Sequence, residues 1–122
     1  MAHLKQLGLA LHMYADDHDG TLPDKLEQAE SYYGNARMLE SPRKPKSFTG
    51  PSYIYVPGYS ANAESSSKRV IIYENPQFCK DTINVAFLDG HVEAMTPEAF
   101  RKALEASYEH LGREMPEITF KD

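Results

Sequence analysis

Three aspartates at the end of the first amphipathic segment, Asp16, Asp17 and Asp19, are the densest group of oxygen ligands in the chain. They crowd a helix C-terminus, where the helix dipole is negative and disfavours acids. A bound Ca²⁺ would relieve that crowding, since calcium takes carboxylate oxygens. Aligned on Gly20, however, a calcium loop wants acids where Ala15 and Leu26 stand. The cluster reads first as a solvated helix end, with backbone capping and Ca²⁺ as the alternatives. His12, His18 and His91 invite a zinc reading, but six residues separate the first two and put them off a common helix face. No nearby Cys or Glu completes a tetrahedral set. Cys79 is the lone cysteine and has no sequence-local His, so it reads as unreactive, with a dimer-forming thiol as the alternative. Asp89 could be taken for an acid catalyst, but its place before Gly90 marks it as a turn residue. Tyr53, Tyr55, Tyr59 and Tyr73 read as sheet core, or else as a platform for a glycan or peptide. Arg43-Lys44-Pro45-Lys46 is a short, proline-broken basic run that reads as a solvated loop.

The elements that would position these groups follow from periodicity. Leu4, Leu7, Leu11 and Tyr14 form an apolar stripe of helical period, widened by Ala10. The helix is expected to stop near Asp17 or His18, with Gly20 at positive φ beyond it. Only Met1-Ala2-His3 precedes the stripe, with no capping residue, so the segment 1–18 reads as the lower half of a longer helix. Asp24, with Glu27 three residues on, is expected to cap a shorter helix that carries Leu22, Leu26, Ala29 and Tyr33 on one face and ends at Gly34. Residues 35–51 read as an extended connection. The period then changes to two. Tyr53–Val56 and Arg69–Tyr73 are expected strands, within a sheet spanning 52–95.

Asp89-Gly90 between Asn84–Leu88 and His91–Met95 is a hairpin signal. A two-residue type I′ turn would pair Leu88 with His91, Phe87 with Val92, Ala86 with Glu93 and Val85 with Ala94. Val85, Phe87, Val92 and Ala94 would then share one face. Thr96-Pro97 opens a last helix over 97–111, with Phe100, Ala103, Leu104, Ser107 and Leu111 inward and Gly112 closing it. The tail 116–120 reads as an edge strand. The sum is an α+β fold with an N-terminal helix on a three- to four-stranded antiparallel sheet.

At 122 residues the chain has the size of one domain, 1–122. Its net charge of −5 argues against nucleic acid as a partner. No run approaches the roughly 20 apolar residues of a membrane span.

The run Lys5–Gly20, KQLGLALHMYADDHDG, followed by Leu22-Pro23, resembles a bacterial family related to type IV pilins and type II secretion pseudopilins. Asn84–Glu93, NVAFLDGHVE, is similar to the Asp-Gly end of that family's histidine–nine residues–Asp-Gly element, and Ser52–Gly58 adds a further match. Two positions depart from the pattern: Cys79 stands where the family has His, and Ser41-Pro42 stands where it has Cys-Pro. The resemblance implies a pilin-like head that lacks its membrane helix, anchored in the inner membrane and facing the periplasm or cell exterior. It also implies a structural rather than enzymatic role, in a filament built with copies of itself, other pilin-like subunits and secretion machinery. A membrane-tethered glycan- or peptide-binding module using the tyrosine face is the alternative. A small metal-dependent hydrolase relying on Asp17 and His18 is a third reading.

Overall fold

The computed structural model describes residues 2–121. The absent start signal at Met1 lies outside them. The chain is α+β, with a four-stranded antiparallel sheet in the order β1-β2-β3-β4. The strands are β1 (Tyr53–Tyr55), β2 (Val70–Glu74), β3 (Ile83–Phe87) and β4 (Val92–Met95). Helix α1 (Ala2–Asp16) precedes the sheet, a short α2 (Glu30–Tyr33) follows α1, and α3 (Pro97–Leu111) comes last.

Every residue of β2 and β3 is buried, because helices cover both sides of the sheet's centre. On one face Tyr73 meets Phe100 of α3, ring centroids 4.9 Å apart. On the other, α1 lies over β2 and β3, and Ile72 and Ala86 are fully buried. Helix α3 is framed by local chemistry. Thr96 Oγ1 accepts from the Ala99 N–H, Pro97 takes the first turn, and Gly112 sits at φ +68° where the helix stops. A bulge between Val70 and Ile72 interrupts the β2–β3 ladder. The Val70 N–H donates instead to Ser107 Oγ at 2.9 Å, so a buried serine of α3 satisfies it.

Four local expectations need correction. The hairpin register is one residue off: Ala86 pairs with Val92, Val85 with Glu93 and Asn84 with Ala94. The Gly90 N–H donates to Phe87 O, the Phe87 N–H donates to His91 O, and Gly90 takes φ +95° while Asp89 stays out of the positive-φ region. This is a three-residue loop closing on a glycine bulge, the other hairpin solution Asp-Gly allows. Asp89 Oδ1 accepts the His91 N–H at 3.1 Å, which holds the turn in that form. Sequence alternation could not decide the register, because both faces of β3 are buried.

The second correction is at α2. Asp24 does not cap; Gln28 Oε1 accepts from the Lys25 N–H, and a 3₁₀ turn over Leu26–Ala29 leads into the helix. Its expected inner face holds, with Leu22, Leu26, Ala29 and Tyr33 all buried. Third, the inner face of α3 includes Tyr108, whereas Ala103 and Leu111 are only half-buried. Fourth, the tail forms no strand. The Lys121 N–H donates to the carbonyls of Pro76 and Cys79, and Phe120 packs edge-on against Phe100 under the Arg101 guanidinium. Side-chain anchoring replaces the ladder there.

Candidate assembly surface

The stripe on α1 is spent inside the domain. Leu4, Leu7 and Leu11 are fully buried, joined by Ala10 and Ala15. Tyr14 lies at the edge of that face, half-buried, stacked on His18 at 3.8 Å and edge-on to Tyr32. The outward side of α1 has a different character. Leu9 and Met13 stand there at i and i+4, 60% and 43% exposed, the large apolar side chains left in water among the described residues. Leu9 sits two residues from Leu7, which on a helix is nearly the opposite side, so the sequence carried this signal.

The three aspartates do not converge. Asp17 accepts the Tyr32 hydroxyl, while Asp16 and Asp19 point into solvent. Asp19 and Gly20 turn the chain through the left-handed region, at φ +56° and +82°, and the Gly20 N–H closes back on Ala15 O. His18 Nδ1 is engaged by Tyr14 O, and His12 Nε2 by Leu88 O. Among the described residues no three His, Cys, Asp or Glu side chains group as a metal ion needs.

The four tyrosines form no exposed platform. Tyr59 and Tyr73 are core residues, Tyr53 is buried, and the half-buried Tyr55 donates its hydroxyl to Pro23 O. Burial pushes the Tyr53 phenol up to about 12 and that of Tyr55 higher still.

At the end of β2 the structure gathers a group that sequence reasoning missed. Glu74 is 2% exposed, and its carboxylate accepts from Arg43 Nη1 at 3.1 Å, Ser41 Oγ at 3.1 Å and the Asn84 N–H at 2.8 Å. Arg43 thus pairs from a half-exposed position with a buried carboxylate rather than standing free in a solvated basic loop, and it also reaches Thr82 O. Lys44 turns back onto Glu40 at 2.9 Å and holds that carboxyl below the usual range. The signal available was an acid ending the apolar run Val70–Tyr73, where a strand buried on both faces must supply partners.

Cys79 is fully buried with Sγ 3.9 Å from Glu74 Oε1. Both positions that depart from the pilin-like pattern, Ser41 and Cys79, therefore meet on one carboxylate. Burial, with the Glu74 charge adding to it, pushes the Cys79 thiol up to about 12. A dimer-forming role is closed to it in the folded state. At pH 8 a folded-state thiol with this pKa holds roughly a thousandfold less thiolate than a free one. Labelling by an aromatic disulfide reagent is expected to be silent in the native protein and complete in denaturant. Fast native labelling would show that the site opens. The sign of the linkage follows: stability from the neutral thiol is full below the unfolded pKa and is lost as pH rises from there towards 12.

At the β3–β4 turn, His91 Nδ1 meets Asp89 at 2.5 Å and its ring lies parallel to that of Phe87, 4.5 Å away. Burial works against the Asp89 charge, but the His91 amide and ring outweigh it and hold the carboxyl below the ordinary range. Asp89 and Gly90 are turn residues, the Asp89 carboxylate occupied by the His91 N–H and ring.

No protein-family model, curated protein or solved structure matches this chain.

Proposed function

We infer that this chain is the globular head of a pilin-like structural subunit, working by assembly rather than catalysis. The observation that carries the reading is the double-sided apolarity of α1. One side seats Leu4, Leu7 and Leu11 on the sheet, and the other keeps Leu9 and Met13 in water. A helix that served only its own core would be polar on that outward side. The resemblance of Lys5–Gly20 to pseudopilin-related proteins supports the same reading.

On this reading α1 continues upstream into an apolar anchor helix, held first in the inner membrane and then along a filament axis. Among the described residues no helix is long and apolar enough to cross a membrane. The domain faces the periplasm or cell exterior, and its partners are copies of itself, related subunits and the secretion or pilus machinery. A head-to-tail contact that does not close generates an open helical fibre.

The test is made on the natural full-length protein in its own cells. Leu9→Cys with a bis-maleimide is expected to give a ladder of cross-linked multimers, and Glu105→Cys on α3 is expected to give none. Adding Met13→Glu is expected to erase the ladder while shifting stability by no more than about 0.5 kcal/mol, as for other surface changes. A monomeric Leu9→Cys protein, indistinguishable from the α3 control, would sink the reading.

A further inference from the structure

The outward side of α1 carries charge as well as its two apolar side chains. At about 100° per residue, Lys5, Leu9, Met13 and Asp16 lie within about 80° of one another, with Leu9 and Met13 between the two charges along the axis. All four are exposed. Among the described residues neither Lys5 nor Asp16 has an ion-pair partner. Asp16 is the last residue of α1, where the helix's own dipole is negative, so a cation brought from outside relieves it.

The complement of this face is an apolar helical stripe with an acid to meet Lys5 and a base to meet Asp16. Run in the opposite direction, α1 presents that stripe itself. Take an antiparallel pair about a two-fold axis near position 11. Leu9 then lies on Met13 of the second copy, and Lys5 comes within one residue's rise, about 1.5 Å, of the level of Asp16. The symmetry makes each contact twice. Other arrangements lose one term or the other. Parallel and in register, Lys5 faces Lys5 and Asp16 faces Asp16. Parallel but staggered to bring Lys5 to Asp16, Leu9 falls opposite position 20, beyond the end of α1, and the apolar contact is lost. Sliding the antiparallel pair by a turn parts Lys5 from Asp16.

We propose that the outward faces of α1 from two copies of this chain pair antiparallel, closing Leu9 and Met13 from water between two Lys5–Asp16 bridges. The pair uses the face assigned above to assembly but does not rest on that reading. An anchor helix that held every copy in one direction would forbid it, so the pair and the filament contact exclude each other. Pairing would keep unanchored heads out of a fibre. A contact one helix wide lies at the small end of protein interfaces, so the pair is weak and reversible.

Sedimentation equilibrium of the whole chain is expected to show monomer passing into dimer by millimolar concentration. Lys5→Asp sets like charges together at both ends of the contact and is expected to weaken dimerisation about tenfold, as is Asp16→Lys. The double variant carrying both changes restores opposite charges and is expected to return to within about threefold of the parent. Oxidising a mixture of Leu9→Cys and Met13→Cys chains is expected to give the mixed disulfide ahead of either homodisulfide, and the buried Cys79 does not compete. The proposal is overturned if the parent stays monomeric at millimolar concentration. It is equally overturned if the double variant is as weak as the single ones, or if a Leu9→Cys or Met13→Cys homodisulfide forms first. These measurements use the free chain, so their failure leaves the filament reading intact. A monomeric Leu9→Cys protein in cells would sink that reading and leave this pair standing.

Discussion

Replacing Arg43 by alanine is expected to lower stability by about 3 kcal/mol, within the range of roughly 3–5 kcal/mol for stranding a buried charge. Glu74 is 2% exposed, and without Arg43 its carboxylate keeps the Ser41 hydroxyl, the Asn84 amide and, at 3.9 Å, the weakly donating Cys79 thiol. Neutral donors alone do not offset the cost of a charge in the interior. The lower end of the range is expected because the Arg43 side chain is 40% exposed, so water reaches part of the pair. For a chain of this length the loss corresponds to a fall in Tm of roughly 10 °C. The double variant Arg43→Met with Glu74→Leu is expected to recover most of it, since an apolar pair in place of a buried ion pair is often neutral. Urea unfolding of the four proteins in the cycle measures the coupling directly. A loss under about 1 kcal/mol for Arg43→Ala would reduce the pair to an ordinary surface contact.

That pair also shows where sequence reading stops. Arg43 and Glu74 are 31 residues apart, and no periodicity or motif links them. Local chemistry was legible: Thr96-Pro97 and Gly112 frame α3, the β-branched run Val70–Ile72 lies in β2, and Leu4, Leu7 and Leu11 mark the buried side of α1. Each of those signals acts within one turn of helix or along one strand. The hairpin lies halfway. Asp89-Gly90 named the turn, but the dipeptide serves both two- and three-residue loops. The choice was left to packing on β3, where both faces are buried and alternation is silent.

The candidate surface was legible in an uneven way. Leu9 and Met13 were in plain view as apolar residues outside the stripe, on the side of the helix that its period turns away from the core. That nothing else in the fold covers them is tertiary information. Cys79 and Ser41 were each visible as departures from a family pattern. That they converge on Glu74 follows only from the pairing of β2 with β3 and from the return of the 35–51 connection to the end of β2.

Leu11→Ala is the second large effect, with an expected loss of about 3–4 kcal/mol. Leu11 is fully buried where α1 crosses β2 and β3, beside the fully buried Leu4 and Leu7. Truncation removes its apolar contacts and leaves a cavity that a helix pinned at Leu4, Leu7 and Ala15 cannot close by sliding. Leu9→Ala, two residues away, removes the same atoms from a side chain that is 60% exposed, so its cost is expected to stay near 0.5 kcal/mol. The pair separates folding from assembly in one helix. Leu11→Ala should lower the urea midpoint strongly and reduce cross-linked multimers only in proportion to the unfolded fraction. With the cross-linking cysteine placed at Met13 instead, Leu9→Ala should leave the midpoint in place and still shorten the ladder. If both variants lost stability alike, Leu9 would be a core residue and the outward face of α1 would have no claim as a contact surface. If neither did, α1 would not be docked on the sheet in solution, and both sides of the helix would be open to a neighbour.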